Sequence, residues 1–485
     1  MQKCTGVKMS RRNLLAGAAT IALLNTKSLA QAQPSGPGAT ALPQHSEVVI
    51  RAAFVMTMDP SLGDLKTGDV HIVNGLIRAV GQNLAAPSAR EIDGRDMIAL
   101  PGFIDTHTHL WSTQMRGRFG DTPETIYFKV RNLLGDGYRA DDVYHGTRLG
   151  AAESISAGIT TAVDFFHNNR GPDFAHAAIR ALKETGLRCR FLLGPSTRTP
   201  PNEPMDLATL ESLSNSWSSV VGDAPLTLGL AWRGPLGIVT PALGEPIRPE
   251  FNMSKQEFDT ARRLKLPITV HVSGTTAKRQ FDSLAAGNFL GPDVQLAHFS
   301  NASNSDMKIA VEAGSPVSLT PMTELRVGYG VTQLTDYVAA GMKVGLGIDS
   351  NSLAGVSDMF TVMKMFQNIE AGRTKNELAV SPRKLLQLAT IEGARSIGMD
   401  SQIGSITPGK RADVILVNTR ALNLAVLADD PTHMLVEAAQ PANVDTVIVD
   451  GKILKSGGAM LGIDVSDVIR GARQSIVDIA ARTQR

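Results

Sequence analysis

Residues 101–109 read PGFIDTHTH, an apolar run that ends in two histidines one residue apart, His107 and His109. Alternate residues of a strand share a face, so both imidazoles can turn toward one point beyond the end of a strand. Neutral imidazole nitrogens are ligands of divalent metals, at roughly 2.0–2.1 Å from zinc. A single pair of this kind is a weak signal, because surface and chance pairs are common, so its meaning depends on the rest of the chain.

The same arrangement recurs at three later places in the chain. The runs PITVH and VQLAH end in His271 and His298, and the run VGLGID ends in Asp349. A core histidine or a strand-ending aspartate would explain any one of them alone. Four strand ends of this kind are better explained by one metal site. Parallel barrels carry such sites at the C-terminal mouth of their strands.

Strand-like runs alternate with helical patterns through residues 99–395, as in parallel β/α units. The eight predicted strands end near Asp105, Asp164, Leu193, Ala231, His271, His298, Leu319 and Asp349. This pattern predicts an α/β fold with a (β/α)8 TIM barrel as the catalytic domain. Strand patterns and tight turns in residues 47–98 and 396–460 predict a small β-sandwich built from both ends of the mature chain. Residues 461–485 predict a C-terminal helix.

The first 32 residues have the pattern of an export signal. Arg11 and Arg12 form a twin-arginine motif ahead of a weakly apolar stretch, and residues 30–32 read AQA, a small-residue cleavage site. Residues 33–46 predict a linker that is rich in Pro, Gly and Ser. We therefore expect the mature chain in the periplasm, or secreted, after transport by the twin-arginine pathway. An ordinary amphipathic helix is the alternative for residues 1–32.

Composition and charge narrow the class of protein. The chain has 485 residues, 43% of them apolar, which is enough for a large domain and a smaller one. Residues 1–32 hold five positive side chains and no negative ones, so their removal takes the net charge from +2 to −3. Neither a nucleic-acid partner nor a membrane span is expected. Cys189 is the one cysteine of the mature chain, and its apolar surroundings predict a buried thiol. A homo-oligomer stays open.

Together these motifs resemble the amidohydrolase superfamily, and most of all its branch of cytosine deaminases, guanine deaminases and s-triazine hydrolases. Besides PGFIDTHTH, His271 and His298, the resemblance rests on GITT at 158–161, GIDS at 347–350 and GSITPGKRAD at 404–413. It covers roughly residues 47–455 and implies a metal-dependent hydrolase, without giving the substrate.

In this interpretation His107, His109, His271 and Asp349 hold the metal and leave a position for water. Asp349 also serves as general base and then as general acid, and His298 contacts the reacting oxygen from just outside the metal. Two-metal members of the superfamily carry a bridging lysine on strand four, where this chain reads LTLGLAWR and has none. We therefore expect one divalent metal ion per chain, zinc first and iron(II) second.

One departure bears on the reaction. Many deaminases of this branch carry a glutamate three residues after the strand-five histidine, where this chain has Gly274. Its absence favours hydrolysis of an amide, carbamate, urea or similar bond of a small organic substrate, in which Asp349 alone can move both protons. Deamination or dechlorination of a nitrogen heterocycle stays open, with Glu324 as substitute acid, although its position near a strand end favours a solvated loop carboxylate. A metal-containing binding protein without catalysis is a third possibility, against which Asp349 and His298 beside an open position argue.

Three further side chains follow strand ends and are expected, with Glu324, to bind substrate: Trp111, His167 and Arg233. Arg233 could hold a substrate carboxylate by a two-pronged contact. An ion pair with a neighbouring acid explains it equally well.

Overall fold

The structure, a computed structural model, describes residues 41–196, 198–236, 251–426 and 429–483. Within them the strands are β1 (Val48–Met56), β2 (Asp64–Val73), β3 (Leu76–Gly81), β4 (Arg90–Asp93), β5 (Met97–Pro101), β6 (Phe103–Thr108), β7 (Ile159–Asn169), β8 (Arg188–Pro195), β9 (Leu226–Trp232), β10 (Ile268–His271), β11 (Val294–Ala297), β12 (Val317–Leu319), β13 (Val344–Leu346), β14 (Val414–Asn418), β15 (Val444–Val449), β16 (Lys452–Ser456) and β17 (Ala459–Met460).

The α-helices of these residues are α1 (Tyr127–Asp136), α2 (Ala140–Ser156), α3 (Pro172–Thr185), α4 (Leu207–Val221), α5 (Phe251–Arg263), α6 (Ala277–Ala286), α7 (Asn304–Ala313), α8 (Pro321–Arg326), α9 (Leu334–Ala339), α10 (Asn351–Ala354), α11 (Met359–Thr374), α12 (Pro382–Leu388), α13 (Ile391–Ser396), α14 (Thr432–Glu437) and α15 (Val465–Thr483). Short 3-10 helices span Leu110–Met115, Gly274–Thr276, Leu422–Leu424 and Pro441–Asn443.

Strands β6 to β13 form an eight-stranded parallel sheet in chain order. The sheet closes between its first and last strands, because Asp349 N donates to His107 O at 2.8 Å and His109 N donates to Asp349 O at 3.1 Å. The predicted TIM barrel is therefore confirmed. Two strands run further than predicted, since β6 includes His107 and β7 includes His167.

The inside of the barrel is filled by apolar side chains below the histidines. Ile104, Val163, Phe165 and Leu192 belong to one buried cluster there. Strand β7 is buried at every position, as expected for a parallel strand covered on both faces. Phe165 connects this cluster to the site, since its ring centre lies 4.3 Å from that of His271. Apolar side chains inside the barrel therefore pack directly against one side of the site.

The predicted small β domain, built from both ends of the chain, is present as one nine-stranded mixed sheet. Its order is β17-β16-β15-β14-β5-β1-β2-β3, with β4 paired to β1. Strand β5 pairs with β14 and β1, so it belongs to this sheet and crosses the predicted domain boundary at 98/99. The positive φ angles at Asn74, Gly75, Asp450 and Gly451 are those that the tight turns of its hairpins require.

Outside the sheets, α15 lies where a C-terminal helix is predicted, and Arg148 on α2 pairs with its Asp467 at 2.7 Å. Cys189 is buried, and burial raises the pKa of its thiol well above the ordinary value. Within the described residues, no helix combines the length and apolar character needed to cross a membrane. The predicted export signal, residues 1–32, lies outside the described residues.

Candidate metal centre

Four histidines and one aspartate converge at the C-terminal mouth of the barrel. The potential ligand atoms of His107, His109 and His271 lie within 4.8 Å of one another, and so do those of His107, His298 and Asp349. Asp349 Oδ1 is 3.1 Å from His109 Nε2 and 3.4 Å from His107 Nε2. The structure therefore brings together every residue that the sequence proposes for the metal.

Unusual backbone geometry positions two of these side chains. His298 and Asp349 have φ angles of 68° and 64°, in the left-handed region that residues other than glycine rarely adopt. Backbone hydrogen bonds hold both residues, since His298 N donates to Ser318 O at 2.8 Å and Asp349 N donates to His107 O. Such strain is found where the surrounding structure fixes a functional side chain.

Ring nitrogens without protein partners indicate what the site can hold. Among the described residues, neither ring nitrogen of His107 has a hydrogen-bond partner, and Nδ1 of His271 has none. His109 Nδ1 lies 2.7 Å from Phe165 O, which fixes the tautomer that leaves Nε2 as a lone-pair donor. Buried polar atoms are normally satisfied, and coordination would satisfy these. The residues thus fit a divalent cation that accepts imidazole and carboxylate ligands, such as zinc or iron(II).

The charge states of these residues suit metal binding. Burial lowers the pKa of His107 to about 4 and the pKa of His271 well below its ordinary value. Burial alone would raise the pKa of Asp349, but its close contacts with the rings of His107 and His109 bring it well below its usual range. Neutral imidazoles and an ionised carboxylate are the forms that coordinate metals, so little proton release has to accompany binding.

His298 is held from behind by Glu324. Its Nδ1 lies 2.9 Å from Thr320 Oγ1 and 3.3 Å from Glu324 Oε1. Burial alone would lower the pKa of His298, but the hydrogen bond to Glu324 and the charge of Asp349 raise it. Since Nδ1 is engaged, Nε2 is the nitrogen left for the reacting group.

The carboxylate of Glu324 is fully used by these contacts. It is 2% exposed, its Oε1 accepts from Thr320 N at 2.8 Å, and its Oε2 accepts from the hydroxyl of Thr332. The interpretation of Glu324 as a solvated loop carboxylate is therefore wrong, since the side chain is buried. Its role as a substitute acid toward the substrate stays a prediction. Glu324 positions His298 through the contact between its Oε1 and His298 Nδ1. Helix α8 begins at Pro321, and Glu324 lies in its first turn with the side chain buried.

The site lies at the base of a cavity of about 380 Å³, part of which is open to solvent. Besides His109, His271, His298 and Asp349, its walls are formed by Tyr127, Phe128, Arg131, His167, Val327, Tyr329 and Leu353. Aromatic and aliphatic side chains share these walls with imidazoles, one guanidinium and one carboxylate, so polar and apolar groups both face the cavity. The structure places the predicted residue His167 in the wall.

Two predicted substrate contacts, Trp111 and Arg233, do not line the described cavity. Trp111 is 2% exposed and packs with its ring centre 5.3 Å from that of His167, so it supports the wall from outside the cavity. Arg233 points away from the cavity, because its Nη2 lies 2.7 Å from Glu257 Oε1 and also donates to Glu203 O at 2.5 Å. The alternative of an ion pair is the one that the structure shows.

Sequence reasoning also missed cavity residues that follow no strand end. Tyr127 and Arg131 lie on α1, in the segment between β6 and α2, and Tyr329 follows α8. One signal was available, since Tyr127 and Arg131 are four residues apart and so share one face of a helix. Nothing in the sequence shows that this face is turned to the metal.

The sequence matches the Amidohydrolase family over residues 98–454. A 5'-deoxyadenosine deaminase of Methanosarcina acetivorans is 28% identical over 457 residues, which cover 90% of this chain and 99% of that protein. A 5-methylthioadenosine/S-adenosylhomocysteine deaminase of Pelotomaculum thermopropionicum is 29% identical over 460 residues, 90% of this chain and 100% of the relative.

Solved structures share the fold. An adenosine deaminase from Xanthomonas campestris with bound zinc has a TM-score of 0.76 at 22% identity, over 90% of this chain and 100% of that one. A mutant atrazine chlorohydrolase from Arthrobacter aurescens TC1, complexed with zinc and atraton, has a TM-score of 0.76 at 20% identity, over 88% of this chain and 100% of that one. At these identities the likeness shows the fold.

Proposed function

Because the chain belongs to the amidohydrolase family, we propose that it hydrolyses an acyclic carbon–nitrogen bond, in an amide, carbamate or urea, of a small organic molecule. The family makes it a metal-dependent hydrolase of carbon–nitrogen bonds other than peptide bonds. One observation supports the acyclic bond: among the described residues, Asp349 is the one carboxylate that lines the cavity. A single carboxylate is enough for this reaction.

Amide hydrolysis requires that one proton leave the attacking water and one reach the departing nitrogen, and a single group can do both in turn. A bound divalent metal ion supplies a water of lowered pKa at neutral pH. Asp349 is ionised and lies against His107 and His109, so it can accept that proton and deliver it to the leaving nitrogen. His298 Nε2 faces the oxygen that gains negative charge during attack.

Deamination of a heterocycle needs a further acid that protonates the ring nitrogen. The position where the resembling deaminases carry this glutamate is Gly274, whose φ of 68° suits glycine and disfavours a side chain. The carboxylate of Glu324 is bonded to His298 and Thr320, which argues against Glu324 as its replacement. The described cavity therefore lacks the second carboxylic acid of that reaction.

Deamination of an adenosine-like compound is the second candidate, and the names of the relatives support it, since both are deaminases aligned with 90% of this chain. In that case the ring proton would have to come from a neutral donor. Tyr329 lines the cavity, and burial raises the pKa of its phenol, so it stays protonated.

The two candidates differ in their products. Purified protein of known metal content is assayed on N-acyl amines, carbamates and ureas, and on adenosine, 5'-deoxyadenosine and 5-methylthioadenosine, with Asp349→Asn as the inactive control. Release of the amine from the acyclic compounds, without ammonia from the nucleosides, is the expected result. Ammonia from the nucleosides alone would establish the second candidate. No turnover of either set by metal-loaded protein would favour a binding protein.

We also propose one zinc ion per chain, held by His107, His109, His271 and Asp349, with iron(II) as the alternative. The nitrogen and oxygen ligand set and the zinc in two structures of the same fold support it. Export through the twin-arginine pathway, with cleavage of the signal near residue 32, is proposed from the pattern of residues 1–32 alone. The division into signal, linker, β domain, barrel and terminal helix stays a prediction in its boundaries.

A further inference from the structure

Arg131 is a buried cation in the wall of the cavity. Its side chain belongs to α1, is 6% exposed, and lines the cavity together with His109 and Asp349. Two other buried arginines, Arg188 and Arg233, each have a carboxylate oxygen 2.7 Å away. In the described part of the chain, no carboxylate pairs with Arg131, whose hydrogen bonds go to an amide oxygen and an imidazole. A buried charge without a partner is costly, so its counter-charge is expected from a ligand.

The hydrogen bonds of Arg131 leave free two N–H donors that can bind a carboxylate. A guanidinium has five N–H groups, one on Nε and two on each terminal nitrogen. Nε and Nη2 each donate one to Asn132 Oδ1, at 3.2 and 2.6 Å, and Nη1 donates one to His167 Nε2 at 2.6 Å. One N–H therefore remains on each terminal nitrogen, and this pair suits a carboxylate bound by both oxygens.

The surroundings fix this guanidinium close to the metal centre. His167 Nδ1 lies 3.2 Å from Phe165 O, so its Nε2 is free to accept from Arg131. The ring centres of His167 and His109 are 4.4 Å apart, so a single imidazole separates Arg131 from a metal ligand. The ring of Phe128 lies 5.6 Å from the guanidinium carbon, which limits the access of water.

We propose that Arg131 binds a carboxylate of the substrate, and that the substrate is an acyclic amide or ureido compound with its carboxylate a few bonds from the cleaved C–N bond. N-acyl and N-carbamoyl amino acids are the smallest members of this class. The cleaved bond rests on the proposed function, whereas the carboxylate site rests on Arg131 and its neighbours.

Binding tests the site without turnover. N-acetyl and N-carbamoyl leucine are each compared with the neutral methylamide by calorimetry on metal-loaded protein that carries the inactivating Asp349→Asn change, with Arg131 intact or replaced. Arg131→Met should weaken binding of the acids by about 10- to 100-fold, and binding of the methylamides by less than about 3-fold. Arg131→Lys keeps the charge but loses the planar pair of N–H donors, so the affinity for the acids should fall by an intermediate factor. Lys129→Met removes an exposed charge from the same helix and is the matched control.

The outcomes separate this proposal from the proposed function. If Arg131→Met retains the preference for acids, the carboxylate binds elsewhere, for example at the metal, and the proposal is overturned. If binding of the acids depends on Arg131 but no acyclic bond is cleaved, the carboxylate site stands and the proposed reaction is overturned. If Arg131→Met lowers the cleavage of acids and of methylamides equally, the proposed reaction stands and the proposed carboxylate site is overturned.

Folding of the variant gives an independent readout. Arg131→Met removes an unpaired buried charge, so the ligand-free variant should unfold at the same temperature as the wild type or at a higher one. A lower unfolding temperature combined with an unselective loss of binding would show a structural role instead.

Discussion

Replacement of Glu324 by glutamine distinguishes a positioning residue from a direct proton donor. The amide oxygen of glutamine can accept the hydrogen bonds that Oε1 now receives, from Thr320 N at 2.8 Å and from His298 Nδ1 at 3.3 Å. The side chain keeps its size and loses its charge. A hydrogen bond to a charged group contributes about 1.5–3 kcal/mol and a neutral one about 1 kcal/mol. The expected loss is therefore about 0.5–2 kcal/mol, or roughly 2- to 30-fold in kcat/KM.

The measurement is kcat/KM on the best acyclic substrate, with metal content determined on the same sample. Thr332→Val is the matched control, because it removes one donor to the Glu324 carboxylate and leaves the charge in place. Its effect should be smaller than that of Glu324→Gln. A loss above about 100-fold in Glu324→Gln, at unchanged metal content, is the size expected for direct acid catalysis. That result would refute the positioning role and favour deamination of a ring.

Three further predictions concern the metal centre and the N-terminus. Asp349→Asn removes a ligand and the proton carrier together, so kcat should fall by at least about 10²–10⁴-fold; a smaller fall at full metal content would exclude Asp349 as the proton carrier. Elemental analysis should find about one divalent ion per active chain, since strand β9 carries no lysine that could bridge two, and two tightly held ions would contradict this. Changing both Arg11 and Arg12 to lysine should trap precursor in the cytoplasm, whereas unchanged export would remove the twin-arginine assignment.

The barrel and its ligands could be predicted because each depends on short, local patterns. His107 and His109 follow an apolar run that is long enough for a strand, and His271 ends another. The parallel arrangement of such strands then brings their C-terminal ends to one mouth. Hydrogen bonds among residues 107–109 and Asp349 complete the site where the barrel closes, so the fold and the ligand set follow from the same residues.

The substrate side of the cavity could not be predicted in the same way, because loops and helices decide which side chains face it. Arg233 follows a strand end, yet it turns to Glu257 of α5. Arg131 follows no strand end, yet it faces the cavity from α1. Both are buried arginines, and only the tertiary contacts show that Arg233 pairs with a carboxylate whereas Arg131 has no such partner in the part of the chain that the structure describes. Glu324 likewise required the structure, since its position near a strand end does not reveal that it bonds to His298.

Gly274 and Arg131 favour the same class of substrate. A bound divalent ion with Asp349 and Arg131 gives the cavity an excess of positive charge, because Asp349 is the one described carboxylate in its wall. A neutral ring compound would leave Arg131 unpaired in a buried place, and it would also need the acid that is absent at Gly274. Hydrolysis of an acyclic amide needs no second acid, and a carboxylate on the same substrate would pair with Arg131. Selection for anionic, open-chain substrates would therefore explain both the glycine at 274 and the arginine at 131.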